Sequence, residues 1–253
     1  MPIQDEFIVP KRLKRGWNNE YFKYFKIDEN DVVLDLGATK GDMTSLCLEV
    51  PGTICYAVEA SNFNSRILKE SLESWNEVLG EKRFFPICRA ITGDNTGKLV
   101  KIDTNIAGGT RWKTLNCIAI DERSSISKKE AISKDEYVET ISFMDLIKEN
   151  GISRIDFMKM DIEGSEYSIF RNKESFEFIL NKVKKITIEF HLQYLREVLG
   201  CTPEKAAFRT NKIIDKFKKH GFKVYTNPRT KYDKIDSLEA TSQTDCMDLW
   251  AWR

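Results

Sequence analysis

The stretch VVLDLGATKG, from Val32 to Gly41, decides the fold class. A short apolar run ends at Asp35, and Gly37 and Gly41 follow it; this order is typical of a buried parallel strand that turns into a helix. Glycine lets the backbone approach a ligand closely. The stretch therefore predicts the first strand of an α/β sheet, with a nucleotide-type cofactor held at the turn after it.

A second apolar run, Thr53 to Val58, ends before Glu59, an acid placed to bind the two hydroxyls of an adenosine ribose. Dinucleotide enzymes also carry such an acid, but their glycine turn reads G-x-G-x-x-G, whereas this turn reads G-x-x-x-G. Asp35 would repel a pyrophosphate, and it can hold a cationic amino-acid group instead. The spacing favours S-adenosylmethionine over NAD and leaves an NAD-dependent Rossmann oxidoreductase as the alternative.

A third run, KMDIEGSEY from Lys159 to Tyr167, ends a strand in three carboxylates, Asp161, Glu163 and Glu166. This is more acid than the stability of a strand end requires. The run therefore indicates chemistry at this end of the strand.

These three motifs resemble those of the FkbM-like methyltransferases, a branch of the class I S-adenosylmethionine-dependent superfamily. The resemblance covers the chain from Val32 to His191 and rests on VVLDLGATKGDMT, YAVEAS, RIDFMKMDIEGSEYSIF and ITIEFH. The third of these motifs is the most specific, because a glycine turn plus an acid marks the whole superfamily. The resemblance implies O-methylation of a hydroxyl on a sugar, glycan or small metabolite.

The motifs and the resemblance together predict the residues that bind the cofactor. Among them, Ala90 is expected near the adenine by resemblance alone. The full set is Asp35, Gly37, Ala38, Gly41, Glu59, Ala60, Ala90 and Asp161.

The candidate catalytic residues are Asp161, Glu163, Glu189 and His191. Residues two apart on a strand share a face, so Asp161 and Glu163 lie together at the end of one strand, and Glu189 and His191 lie together at the end of another. These two strands are expected to be neighbours in the sheet. His191, oriented by Glu189, or Asp161 itself would remove the proton of the acceptor hydroxyl. A histidine at a strand end is also commonly a structural group.

Metal ligation is a further interpretation of the acidic run, since three carboxylates within six residues could hold Mg²⁺. It is not favoured, and no metal ligand is assigned, because the acids have other uses. The six cysteines form no C-x-x-C pair, so a zinc site is not expected. A third function class is a non-catalytic binding module, which the retained acids at strand ends oppose.

The apolar runs alternate with helical patterns, as in a doubly wound, mostly parallel, Rossmann-like sheet of seven strands. One domain is expected over residues 1–253. Its final pair of strands is expected to include an antiparallel edge strand. The predicted helices are Thr44 to Val50, Asn64 to Val78 and Pro203 to His220. The predicted strands are Val32 to Leu36, Ile54 to Val58, Arg83 to Ile87, Arg154 to Met160, Lys185 to Phe190, Phe222 to Thr226 and Met247 to Trp252.

The segment from Lys98 to Tyr137 interrupts the alternation of strand and helix patterns, because it contains a glycine pair and a long polar tract. It is interpreted either as a surface loop or as a lid over the acceptor.

Net charge and hydropathy limit the classes of partner that the chain is expected to bind. Forty basic and thirty-nine acidic residues give a net charge of +1, so no nucleic-acid partner is expected. A basic run from Lys11 to Arg15 is interpreted as a solvated N-terminal arm. Because no apolar stretch follows this run, no signal peptide is expected. No stretch is apolar enough to span a membrane. A cytoplasmic protein with reduced cysteines is expected, and its oligomeric state stays open.

Overall fold

The computed structural model describes residues 20–94, 96–103, 117–119, 136–230 and 234–253. Within these ranges the strands are β1 (Val32–Leu36), β2 (Ile54–Val58), β3 (Phe84–Ile87), β4 (Ala90–Thr92), β5 (Leu99–Asp103), β6 (Cys117–Ala119), β7 (Glu136–Ser142), β8 (Ile155–Met160), β9 (Val183–His191), β10 (Lys223–Arg229) and β11 (Cys246–Trp252). The α-helices are α1 (Asn62–Leu79), α2 (Phe143–Glu149), α3 (Glu166–Arg171), α4 (Lys173–Lys182), α5 (Leu192–Glu197) and α6 (Pro203–Lys219).

The seven predicted strands form one sheet in the order β10-β11-β9-β8-β1-β2-β3, which confirms the fold class. The pairs from β3 across to β9 are parallel. The expected antiparallel edge strand is confirmed: β10 lies at the edge and is antiparallel to β11, which is in turn antiparallel to β9. Burial agrees with this order, because six of the seven β11 residues are buried and β10 is mostly exposed or half-buried.

The two faces of the sheet are covered by different apolar clusters. Leu34 and Met158 belong to one buried cluster, while their neighbours Val33 and Phe157 belong to the other. Because successive side chains on a strand point to opposite faces, Asp35 lies on the same face as Val33. The charged residues at the ends of β8 and β9 follow the same alternation, so they share that face.

Helices α1, α2, α4 and α6 each begin at a residue whose side chain accepts a hydrogen bond from a backbone amide of the first turn. The Ser61 hydroxyl caps α1, and the helix ends at Gly80, whose φ of +67° suits a left-handed C-cap. The helix predicted from Asn64 to Val78 is confirmed within α1. The one predicted from Thr44 to Val50 is a 3₁₀-helix, Thr44–Glu49. No helix among the described residues is both long and apolar enough to cross a membrane.

A second sheet of four short strands, in the order β4-β7-β5-β6, lies partly in the region predicted as a loop or lid. Strands β5 and β6 and the start of β7 occupy part of the segment from Lys98 to Tyr137. Its glycine pair and nearly all of its polar tract lie outside the described residues, as does the basic run from Lys11 to Arg15. The lid interpretation therefore stays a prediction.

An aromatic segment near the start of the described chain crosses the face of the sheet that carries Asp35. Phe22 stacks on Phe157 with ring centroids 5.3 Å apart, and Tyr24 stacks on Tyr225 at 4.5 Å. Phe22 is buried, so this segment is anchored in the core. It brings the preceding residue, Tyr21, to the ends of the central strands.

Candidate active site

The glycine turn after β1 is held against the ends of two neighbouring strands. The amides of Gly37 and Ala38 both donate to the carbonyl of Val58, each at 2.9 Å. Gly37 has a φ of +80°, and a Cβ at this position would lie 1.9 Å from the carbonyl oxygen of Asp161. Glycine is required at this position because the backbones at the ends of β1 and β8 approach each other too closely for a side chain.

Glu59 joins the glycine turn to the start of α1. Its two carboxylate oxygens accept hydrogen bonds from the amides of Thr39, at 2.8 Å, and Ser61, at 2.7 Å. Burial raises the pKa of Glu59, and these two hydrogen bonds oppose the rise. Each carboxylate oxygen retains a lone pair, so the predicted contact with two ribose hydroxyls is chemically open.

Asp35 lies beneath the turn and is fully buried. It accepts a 2.6 Å hydrogen bond from the Thr44 hydroxyl, and its other oxygen lies 3.8 Å from the ammonium of Lys159. The cation expected beside Asp35 is thus supplied by the chain itself, and a contact with the cofactor stays a prediction. The sequence carried a signal for this pair, because Asp35 and Lys159 are register partners on neighbouring strands.

Lys159 is a buried cation at the centre of this arrangement, with 4% of its surface exposed. Its ammonium donates to the carbonyl of Gly37 at 2.6 Å and lies 3.7 Å from Asp161. Burial alone would lower the pKa of Lys159, but Asp161 and Asp35 raise it above its usual value. The side chain is therefore charged, and it links the turn to the carboxylates at the end of β8.

Four carboxylates surround the imidazole of His191 at the ends of β8 and β9. The Nδ1 atom lies 3.0 Å from Glu166, and the Nε2 atom lies 3.3 Å from Glu163 and 3.8 Å from both Asp161 and Glu189. The structure thus brings the four predicted catalytic residues together. The expectation that Glu189 orients His191 is wrong, because the hydrogen bond of the ring joins Nδ1 to the accepting carboxylate of Glu166.

Burial and neighbouring charges shift the pKa values of the residues in this cluster. Burial raises the pKa of Glu163 to about 7, although His191 opposes the rise. Burial alone would lower the pKa of His191, but Glu163 and Glu166 raise it well above 6.5. Burial raises the pKa of Asp161, but Lys159 and His191 outweigh it and leave that pKa below its usual value. Such shifts gather at functional sites.

The turn after β8 directs Glu163 into the cluster. Glu163 itself has a φ of +55°, which is unusual for a residue other than glycine. The next residue, Gly164, has a φ of +105°, and a Cβ there would lie 2.2 Å from the ring of Tyr194. Packing of Tyr194 against the turn therefore holds Glu163 in a strained conformation, as is common at functional sites.

Two residues at the site escaped sequence reasoning. The Tyr21 hydroxyl donates a 3.0 Å hydrogen bond to Asp161. Arg229, at the end of β10, pairs with Glu189 and lies 3.4 Å from Asp248. No local pattern marks Tyr21, which precedes the first strand, whereas Arg229 could have been found as a charged residue at a strand end.

Two further residues predicted to bind the cofactor, Ala60 and Ala90, lie in one small apolar cluster. Ala90 is fully buried and forms a small apolar cluster with Val100 and Val138, against which Ala60 packs. Ala38 and Gly41 lie in the turn itself, and a Cβ at Gly41 would meet Leu68 at 3.1 Å. Contact between Ala90 and an adenine, and between the other three residues and the cofactor, stays a prediction.

Comparisons with known proteins agree with the fold. Residues 35–224 match the family model of the methyltransferase FkbM domain. Among solved structures, methyltransferase FkbM from Methylobacillus flagellatus KT is 16% identical, with a TM-score of 0.51 over 90% of this chain and 45% of that chain. This chain thus spans less than half the length of that protein, and at this identity the similarity shows the fold alone.

Two other solved structures are less similar to this chain. A SAM dependent methyltransferase from Aquifex aeolicus is 13% identical, with a TM-score of 0.41 over 96% of this chain and 92% of that chain. The O-methyltransferase from Bacillus cereus in complex with SAH is 10% identical, with a TM-score of 0.43 over 88% of this chain and 74% of that chain. No curated protein sequence matches the chain.

Proposed function

The chain belongs to the FkbM methyltransferase family, and from this premise we propose that it transfers the methyl group of S-adenosylmethionine to a hydroxyl of a sugar, glycan or small metabolite. The observation that carries the proposal is the cluster around His191, which lies beside the glycine turn at the carboxyl ends of the central parallel strands. In open α/β sheets, ligands bind outside these strand ends.

The charge of the site fits S-adenosylmethionine. Six carboxylates are connected through contacts within 4 Å to at most three cations, Lys159, Arg229 and His191. The carboxylates are Asp35, Asp161, Glu163, Glu166, Glu189 and Asp248. This excess of negative charge attracts a ligand with an ammonium and a sulfonium, and it repels the pyrophosphate of a dinucleotide.

The residues of the chain have separable duties in this proposal. The cofactor, when bound, supplies a methyl group whose bond to sulfur breaks as the bond to the acceptor oxygen forms, with the electron pair staying on sulfur. Glu59 and the glycine turn hold the nucleoside. Asp161, Glu163 and His191 converge on one point, where they orient the acceptor hydroxyl, and a carboxylate of this set accepts its proton.

Two alternatives are less well supported. An NAD-dependent oxidoreductase requires a pyrophosphate close to the glycine turn, where Asp35 and the acidic cluster oppose it. A binding module without catalysis has no use for so many buried or half-buried carboxylates around one imidazole, because each costs free energy to desolvate.

Calorimetry tests the cofactor first. The protein should bind S-adenosylmethionine and S-adenosylhomocysteine and should not bind NAD or NADP. Incubation with S-adenosylmethionine labelled in the methyl group and a set of sugar and polyol acceptors should then transfer label to oxygen. Binding of NAD in preference to S-adenosylmethionine would overturn the proposal, and cofactor binding without transfer to any acceptor would favour the binding module.

A further inference from the structure

We propose that Asp161, Glu163 and His191 form a binding site for one divalent transition-metal ion. The three residues present an aspartate oxygen, a glutamate oxygen and the Nε2 atom of the imidazole within 4.8 Å of one another. The side chains are largely buried, with exposures of 21%, 14% and 5%. The site itself is independent of the proposed function, and only its role in the reaction rests on that function.

The Nε2 atom of His191 has no hydrogen-bond partner among the described residues, although His191 is 96% buried. Its neighbours are carboxylate oxygens, with Glu163 at 3.3 Å and Asp161 at 3.8 Å. Glu163 likewise makes no hydrogen bond to a described residue, and Asp161 uses only Oδ2, which accepts from Tyr21. The Nε2 atom and two carboxylate oxygens thus face one another without a hydrogen bond between them.

These separations suit a shared ion. Ligand atoms about 2.1 Å from a tetrahedral ion lie about 3.4 Å from one another. The distances from Nε2 to the Glu163 and Asp161 oxygens, 3.3 Å and 3.8 Å, lie near this value. A direct charged hydrogen bond from the ring would be shorter, at about 2.7 to 2.9 Å.

The opposite side of the imidazole is prepared for metal binding. Glu166 is fully buried, and its Oε1 atom lies 3.0 Å from Nδ1 of His191 while accepting a hydrogen bond from the amide of Ile162. Histidines that bind metals commonly donate from the other ring nitrogen to a carboxylate, which fixes the tautomer and the direction of the ring. Glu166 thus fixes Nε2 toward Asp161 and Glu163.

A second set of atoms competes for the same nitrogen, because Glu189, His191 and Cys246 are also close together. Glu189 is already paired with Arg229, and the Cys246 thiol lies 3.7 Å from its hydrogen-bond acceptor on Gln193. The atoms of Asp161 and Glu163 that face Nε2 have no such partners. We therefore assign the ion to Asp161 and Glu163.

The donor set selects the kind of ion. One imidazole and two carboxylates suit Zn²⁺, Co²⁺ or Mn²⁺, whereas Mg²⁺ and Ca²⁺ prefer oxygen ligands throughout. Three protein ligands leave a coordination position open. In the proposed reaction, an acceptor hydroxyl at that position would lose its proton more easily, because a bound cation lowers the hydroxyl pKa.

Titration of chelator-treated protein with Co²⁺ tests the site without any need for an acceptor. We expect one Co²⁺ per chain, with visible absorption and without the charge-transfer band that a thiolate ligand gives. His191→Ala and Glu163→Gln should abolish this binding, and Cys246→Ser should leave it unchanged. Glu166→Gln, which keeps the size of the side chain, should weaken Co²⁺ binding about 10- to 100-fold.

Calorimetry with S-adenosylmethionine on the same samples separates the two proposals and reports folding. If the wild-type protein binds S-adenosylmethionine but not Co²⁺, Zn²⁺ or Mn²⁺, the metal site is refuted and the proposed function stands. Equal Co²⁺ affinity in the wild type and in a His191→Ala variant that still binds S-adenosylmethionine would also refute it. Co²⁺ binding that Cys246→Ser removes would overturn the ligand assignment.

Discussion

The ammonium of Lys159 donates a 2.6 Å hydrogen bond to the carbonyl oxygen of Gly37. This contact joins the end of β8 to the glycine turn after β1, and the same ammonium lies within 4 Å of the carboxylates of Asp35 and Asp161. One buried cation thus holds the turn in place and compensates the buried Asp35 and the half-buried Asp161. The cofactor half and the acidic half of the site are therefore coupled through Lys159.

Replacing Lys159 with methionine should destabilise the whole domain. The change keeps a long side chain but leaves Asp35 and Asp161 without their cation, and breaking a buried ion pair costs about 3 to 5 kcal/mol. Urea denaturation should show this loss. As a control, Lys148→Met removes an exposed ion pair with Glu174 and should cost about 1 kcal/mol or less. Equal losses in the two variants would show that Lys159 does not hold the turn.

Gly37→Ala tests the close approach between β1 and β8. Gly80 is the matched control, because both glycines have φ near +70° to +80° but a Cβ at Gly80 meets nothing within 4 Å. Gly80→Ala should cost about 1 to 2 kcal/mol from backbone strain alone. Gly37→Ala should cost about 1 to 3 kcal/mol more, because its Cβ meets a backbone carbonyl. Thermal unfolding compares them, and indistinguishable midpoints would contradict the clash.

Glu59→Gln should weaken S-adenosylmethionine binding. The neutral amide offers one acceptor oxygen where the carboxylate offers two, so a charged hydrogen bond worth about 1.5 to 3 kcal/mol should be lost. Calorimetry measures the change against Glu73→Gln, which alters an exposed acid on α1 and should bind like the wild type. An unchanged dissociation constant in Glu59→Gln would contradict the prediction that Glu59 binds the ribose.

The sheet could be predicted from sequence because its strands are buried on both faces and read as nearly continuous apolar runs. Strand β8, with all six residues buried, was predicted to within one residue. The small sheet was not predicted, since β4 and β6 have three residues each and carry too little pattern. Short helices such as α3 and α5 lack the length for a helical period.

The site was predicted in part, because strand neighbours follow from topology and bring Asp161, Glu163 and His191 to one edge. Hydrogen-bond partners do not follow in the same way. Glu166 lies in the first turn of α3, where an acid is favourable for any helix, so its bond to His191 had no separate signal. Tyr21 reaches Asp161 only through aromatic packing of the segment that follows it.

Formation of S-adenosylhomocysteine with a hydroxyl acceptor tests the role of the cluster most directly. It compares the wild type with Asp161→Asn and His191→Ala, and with His220→Ala, an exposed histidine at the end of α6, as control. Both cluster variants should bind S-adenosylmethionine within about threefold of the wild type, because these residues act on the acceptor. Their rate of transfer should fall about 100- to 10,000-fold while that of His220→Ala stays unchanged. Wild-type rates in both cluster variants, with the cofactor bound, would contradict the account.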